Sequence, residues 1–349
     1  MWIRAVIGLL LLSLFSIAWQ ICDRIPIQVI GQQTQSGGLY MAEKEFFEGL
    51  AVSADLPFKI NYKPVDTIGF KDNHQLNMLK DGMLDLVSLR FSQNAEVEPA
   101  LLGVDLFGGS VDIDTAYAIM KAYAPALDRR LQDRFNVKLL GMWPFGPQVF
   151  FCKKAVKSLH DLAGFRVRVT NTVFFPLMKH FGAQPVKIPF EDVKAALHSS
   201  MIDCAISSAS SAYAAGWPEE STYYFPLRTQ MAINGYVINL DLWHRLSSRQ
   251  QVRMKKAFNV YEKSIWASVE KAHEQFSACN TGGPCSVGKS YHLIDVNPSK
   301  RDYKELYQAF KKLVIPQWAE KCDQLYPSCS REWSQLVGPI ILNKSEGHH

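Results

Sequence analysis

The sequence predicts an α/β protein built as two lobes of related architecture that face each other across a cleft. Three observations carry this. The chain has 349 residues, 48% hydrophobic and 20% charged, an ordinary globular balance with length enough for two domains. A helix–turn–strand unit occurs twice. One helix ends at Leu79 and leads into Lys80-Asp81-Gly82-Met83-Leu84-Asp85-Leu86-Val87-Ser88; another ends at Leu197 and leads into His198-Ser199-Ser200-Met201-Ile202-Asp203-Cys204-Ala205-Ile206. In both, a turn feeds Met-apolar-Asp and then a buried strand, one architecture used twice. Third, Ser247-Ser248-Arg249-Gln250 is a capping-box pattern, and no Pro or Gly interrupts the helical stretch from Ser247 to Cys279. At ~1.5 Å per residue that stretch is a rod of roughly 45–50 Å, more than one small domain needs.

Taken in order, the chain opens with Met-Trp-Ile-Arg, an apolar run from Ala5 and the small residues Ser16 and Ala18. Residues 1–18 read as a secretory signal peptide cleaved after Ala18. A retained membrane anchor is the competing reading, since the run stretches through Trp19 to ~18 residues. Trp19-Gln20-Ile21 lacks the small residues that lipoprotein processing at Cys22 needs. Residues 27–31 form a short strand opening into the polar loop 32–38. Gln33 is taken from that loop as a cleft residue, because open α/β sheets bind ligands at the carboxyl ends of their strands. Residues 39–50 are helical and 58–62 return as a strand. Past the first repeated unit, Ser88-Leu89-Arg90-Phe91-Ser92-Gln93 sets one cation, Arg90, at the cleft border. Helices follow over 112–124 and 126–135, then strands over 137–143 and 148–152 on either side of Gly146-Pro147. The second of these strands and the segment 231–239 cross between lobes. Residues 24–145 with 234–265 make the first lobe and 146–233 with 266–345 the second, 247–279 being the long helix. Beyond it, 291–296 is a strand, and 301–326 is helical with a break near Pro316, packing on the second lobe.

In the strand from Phe165 to Val169, apolar Phe165, Val167 and Val169 alternate with Arg166 and Arg168, so both guanidinium groups lie on one face. A strand that delivers an arginine to the start of a loop and helix (Thr170, Asn171) suits carboxylate capture, since the planar fork makes two parallel charge-assisted bonds. Two solvated strand arginines are the competing reading.

Composition excludes other classes. A net charge of +5 is mild, and no basic run carries interleaved aromatics, so a nucleic-acid partner is not expected. Seven cysteines include the close pairs Cys279 with Cys285, around a Gly-Gly-Pro turn, and Cys322 with Cys329, which fits disulfides in an oxidising compartment. Zinc is the competing reading, at spacings wider than structural zinc pairs use. Cys152 and Cys204 sit in apolar strands and read as small buried hydrophobes. His74, His160, His180, His198, His244, His273 and His292 stand singly without a His-Glu-x-x-His pair, no glycine-rich phosphate loop follows a strand, and the serines from Ser207 to Ser211 lack a Gly-x-Ser-x-Gly elbow. Neither metal, cofactor nor catalysis is expected, a serine hydrolase using Ser207 or Ser208 being the remaining enzymatic alternative.

Asp161-Leu162-Ala163-Gly164-Phe165-Arg166-Val167-Arg168 resembles the "DLKGLKIRV" signature of the substrate-binding proteins of TRAP (tripartite ATP-independent periplasmic) transporters, the DctP-like family. Gly182-Ala183-Gln184-Pro185-Val186 resembles that family's "GA-x-PV" turn. Glu191-Asp192-Val193 with Ala196-Leu197 resembles its "-EV-x-x-AL" helix, and Met201-Ile202-Asp203 its "-VVDG" strand. Val104-Asp105-Leu106-Phe107 stands where the family has "LPF", without the proline. The resemblance runs from about Ile27 to the region of Leu246.

It implies a periplasmic-binding-protein-like fold whose long helix braces both lobes. The implied function is a periplasmic receptor, expected as a monomer, that closes on a small carboxylate and delivers it to integral-membrane TRAP subunits. A receptor for a sensor system is the alternative within that fold. Arg168 corresponds to the family's carboxylate-clamping arginine, Asn171 to a nearby polar contact and Phe190 to an aromatic wall. Gln148 falls where sialic-acid binders of the family have a second arginine, and Ser207 where they have asparagine. The resemblance therefore implies a smaller or less polar acid. Ser208, Arg90 as a second cation, and the aromatics Trp143, Phe145, Tyr213, Trp217, Tyr223 and Tyr224 complete the candidate surface.

Overall fold

Asp85 and Asp203, the acids of the repeated unit, do the same work in each half of the protein. Oδ2 of Asp85 accepts from the Gln28 backbone N–H and Oδ2 of Asp203 from that of Arg166, both at 2.8 Å. Their carbonyls accept from Asn239 and Lys153, again at 2.8 Å, so each acid ties a central strand to the returning chain. These contacts come from a computed structural model, which describes residues 24–69 and 74–345. The expected signal peptide, Cys22 and residues 346–349 lie outside the described residues.

The strands of those residues are β1 (Ile25–Gly31), β2 (Phe58–Pro64), β3 (Leu86–Arg90), β4 (Val137–Pro144), β5 (Gln148–Cys152), β6 (Arg166–Val169), β7 (Gln184–Lys187), β8 (Cys204–Ser208), β9 (Tyr223–Phe225), β10 (Ile233–Asn239) and β11 (Ile294–Asp295). They form a five-stranded sheet, β2-β1-β3-β10-β4, and a six-stranded one, β11-β9-β5-β8-β6-β7. Each has a parallel trio, β2-β1-β3 in one and β7-β6-β8 in the other. Antiparallel β10 and β5 then flank β3 and β8. The chain leaves the first sheet after β4, turns at Gly146 with a φ of 105° that favours glycine, and returns as β10. β3, β5, β8 and β10 are buried along their whole length, as sheets covered on both faces require.

Residues 112–135 read from the sequence as two helices parted at Pro125, but Ile113–Phe135 is one helix of 23 residues. The ring removes one backbone bond, while burial of Ile119, Tyr123, Ala126, Leu127 and Leu131 on both sides of it holds the helix together. The long helix Ser248–Thr281 has 34 residues, starts in the Ser247/Gln250 capping box and stops at left-handed Gly282. It is about 51 Å long. Met254 and Phe258 pack in the first-lobe core, Trp266 Nε1 donates to Met142 O at 3.0 Å, and near the far end Asn280 Nδ2 donates to Ala209 O at 3.3 Å. The helix is thus anchored to both sheets' surroundings.

The last helices depart from the sequence reading, which placed 266–345 on the second lobe. Lys300–Ala309 does pack there, with Asp302 Oδ1 accepting from Leu159 N at 2.9 Å. Ile315–Leu325 and Cys329–Ser345 instead cover first-lobe elements. Trp318 Nε1 donates to Pro99 O at 2.7 Å, Trp333 Nε1 to Gly103 O at 2.6 Å, and Glu332 pairs with Arg129 and Arg130 of the Ile113–Phe135 helix. Helical periodicity marks an apolar face but not which lobe receives it. Cys279–Cys285 and Cys322–Cys329 are disulfides, and so is Cys152–Cys204. The last corrects the reading of two separate buried hydrophobes: β5 and β8 set these residues directly opposite each other, Cα to Cα 4.1 Å, a pairing that needs the strand register to be seen.

Candidate functional site

Where the ends of β3 and β10 face those of β6, β8 and β5, a cavity lies between the two sheets, with about 550 Å³ of empty space including its open mouth. Arg168 enters from the second lobe and is 2% exposed. Its Nε donates to Ile188 O at 2.9 Å and its Nη1 to Ile206 O at 3.1 Å, with the guanidinium over the Trp217 ring at 5.8 Å. These contacts fix the plane of the fork. Arg168 lines the cavity, and Nη2 has no hydrogen-bond partner among the described residues. Burial pulls its pKa down to about 10, opposed by Glu191 and reinforced by Arg90, so it is a cation at neutral pH. By contrast Arg166, on the same face of β6, spends its fork on Asp203 at 3.0 and 2.9 Å. Burial works to raise the Asp203 pKa, but hydrogen bonds from Arg166 and Lys154 outweigh it and hold the carboxyl well below the usual range.

Of the other residues expected from sequence, Arg90, Gln148, Phe190 and Ser207 line the same cavity. Gln148 is oriented by a 3.0 Å bond from Nε2 to Gly146 O. Five candidates lie elsewhere. Asn171 caps its own turn, Oδ1 accepting from Val173 N at 2.9 Å, while Nδ2 donates across the cleft to Ser92 O at 3.1 Å. It links the lobes rather than lining the cavity. Ser208 is one residue beyond Ser207 on β8, so strand alternation turns it away. Its hydroxyl caps the helix Ala209–Ala214 and bonds Ser211 Oγ at 2.8 Å, serine partners and not a histidine. Trp143 is 1% exposed in the first-lobe core against Phe145 and Tyr236. Gln33 is buried at the start of the Thr34–Ser36 turn, where Ser36 and not Gln33 reaches the cavity. Tyr213 lines a neighbouring recess with Glu219 and Tyr291 and bonds Lys289 O at 2.9 Å. Trp217 also lines that recess, and Tyr224 packs behind it on β9.

Sequence reasoning missed Asn234, which lines the cavity from β10 and is paired in register with Arg90 of β3. The available signal was a polar residue inside the apolar run Ile233-Asn234-Gly235-Tyr236-Val237-Ile238. It also missed Asp105. Buried beneath the segment that crosses back to β10, Asp105 accepts from Ile233 N through Oδ2 at 2.8 Å, and its Oδ1 has no partner. Burial pushes this carboxyl up to about 7, against the bond from Ile233. An acid with a raised folded pKa stabilises fully below its unfolded value of about 3.9 and loses that contribution as pH rises through the folded one. Asp105→Asn should therefore flatten the decline in unfolding free energy between about pH 4 and 7, as followed by urea denaturation. An unchanged slope in the variant contradicts this assignment.

The comparisons with known proteins agree with this architecture. The model of the DctP family, bacterial extracellular solute-binding protein, family 7, matches residues 58–312. An uncharacterized protein of Haemophilus influenzae is 24% identical over 182 residues, so the match spans 51% of this chain and 56% of that protein. Among solved structures, an extracytoplasmic solute receptor of Bordetella pertussis binding pyroglutamic acid superposes with a TM-score of 0.78 at 17% identity, over 90% of this chain and 99% of that one. A TRAP periplasmic solute-binding protein of Rhodoferax ferrireducens with bound malonate gives 0.78 at 17% identity, over 91% and 99%. One from Haemophilus influenzae with bound L-gulonate gives 0.76 at 17%, over 90% and 99%. The three solved structures share the two-lobed fold described above, one named as an extracytoplasmic solute receptor and two as TRAP periplasmic solute-binding proteins. Since the family model covers most of its length, this chain belongs to the DctP family of bacterial extracellular solute-binding proteins, family 7, the TRAP solute-binding proteins that its motifs resemble.

Proposed function

We propose that the protein is a periplasmic receptor that holds a small organic acid between its lobes on Arg168 and hands it to a TRAP-type membrane transporter. One observation carries the reading: a buried guanidinium has its fork oriented by two backbone carbonyls, and no Asp or Glu lines the cavity to neutralise it. Glu191 lies near enough to favour the Arg168 cation but does not line the cavity, so on the cavity side a ligand is left to supply the balancing charge. Supporting it, the ligands named for the three structures above, pyroglutamic acid, malonate and L-gulonate, are each a carboxylic acid or its anion. Three disulfides fit an exported protein. Phe145 and Phe190 give the cavity apolar wall, while Gln148 and Ser207 supply neutral polar contacts. That lining suits an acid smaller or less polar than sialic acid.

The test is a thermal-shift screen of organic acids, neutral sugars and amines, because a ligand of the folded state raises the melting temperature by mass action. Acids, and not the neutral or cationic sets, are expected to stabilise the protein. Stabilisation by sugars or amines alone removes the reading.

A further inference from the structure

We infer that Asn234 is a specificity-determining residue of this cleft, reading an oxygen acceptor on the part of the ligand remote from its carboxylate. The inference rests on the proposed acid-binding role and adds to it what the rest of the ligand must carry.

The two faces of the cavity differ in origin but share one chemical character. From the second lobe come Arg168, Gln148 and Ser207; from the first come Asn234 and Arg90, opposite each other on β10 and β3. Asn234 is 3% exposed, and its Nδ2 has no hydrogen-bond partner among the described residues. A buried amide donor left unmet is unfavourable, and the other polar side chains of the strand, Tyr236 and Asn239, do find partners in Glu43, Leu79 O and Leu242 N. The polar groups that share the cavity wall with it are hydroxyls, amides and guanidinium groups, with no carboxylate to receive the N–H. An acid that ends in methyl or methylene leaves the Asn234 donor buried and unmet, whereas one with a keto, lactam or carboxylate oxygen at that end satisfies it. A ligand ammonium fails twice, meeting a donor at Asn234 and the positive field of two arginines.

Asn234 also gives the first lobe a reason to close. It follows Ala232, whose φ of 46° marks the turn where the crossing segment enters β10. A ligand held by Arg168 on one side and Asn234 on the other spans the gap between the lobes.

The test compares matched acids on the full chain by calorimetry: levulinate with pentanoate, and succinate with butyrate. γ-Aminobutyrate serves as the ligand that presents a donor. Wild type is expected to prefer levulinate and succinate by roughly five- to thirtyfold over their partners, the size of one buried hydrogen bond met or unmet. In Asn234→Ala both preferences should collapse to about twofold or less, with binding of the oxygen-poor acids retained. Asn234→Asp, which offers an acceptor, should lose succinate and gain γ-aminobutyrate. If Asn234→Asp fails to fold, the alanine variant decides alone. Preferences that persist in Asn234→Ala overturn the inference and leave the acid-binding reading intact. So does a wild type that binds both members of each pair equally. A wild type that binds none of the four acids, or an Arg168→Lys variant that binds them undiminished, overturns the reading beneath it.

Discussion

Arg168→Ala is expected to weaken acid binding by ~2–5 kcal/mol, about thirty- to several-thousand-fold, because it removes one half of a desolvated charge pair. Calorimetry with an acid from the thermal-shift screen reads this directly. The same substitution leaves the carbonyls of Ile188 and Ile206 without the N–H groups they now accept from, so a modest loss of thermal stability should accompany it. The two effects separate in Arg168→Lys. Lysine keeps the charge but not the fork, so it should restore much of the stability while acid affinity stays low. Burial lowers the Arg168 pKa only to about 10, so the guanidinium stays a cation and wild-type affinity should be flat across neutral and moderately alkaline pH. Undiminished affinity in the alanine variant would remove Arg168 from the site.

The second large effect concerns stability. Cys152 and Cys204 are both fully buried, and their disulfide joins β5 to β8 at the end of the pair opposite the Gln148 end that lines the cavity, closing a loop with a sequence separation of 52. In the chain-entropy account a loop of that length is worth ~4 kcal/mol, with 2–4 kcal/mol typical of measured cases. The double variant Cys152→Ala, Cys204→Ala should therefore unfold at a markedly lower denaturant concentration, with a steeper slope as the freed unfolded chain exposes more surface, while still binding acid when folded. β5 and β8 would keep their backbone pairing, so the architecture should survive. A change below about 1 kcal/mol would mean that the register already holds these strands as tightly as the bond does.

How much of this was legible in the residues depends on whether the information is local. The repeated Met-apolar-Asp unit showed the two related lobes because its chemistry is local: a turn, an acid that ties strands together and an apolar run. The Ser247/Gln250 box and the unbroken run after it showed the long helix for the same reason. Alternation in β6 put Arg166 and Arg168 on one face but did not separate their fates. That difference lies in Asp203, which meets Arg166 and not Arg168. Ser208 beside Ser207, and Trp143 turned into the core, show that proximity in sequence to a cleft residue says little without the strand's facing. Asn171 is at the cleft yet serves to tie the lobes, a role set by Ser92 79 residues away. The Cys152–Cys204 pair, the docking of Trp318 and Trp333, and Asn234 opposite Arg90 all depend on which strands and helices become neighbours. Composition and periodicity do not hold that information.

The most direct test of the central claim is a crystal structure of the full chain with an acid from the screen bound. The account predicts one carboxylate between the lobes with an oxygen at about 3 Å from Nη2 of Arg168, the guanidinium still held by Ile188 and Ile206. A ligand bound in the neighbouring recess by Tyr213 and Tyr291, or one whose carboxylate points away from Arg168, would contradict it.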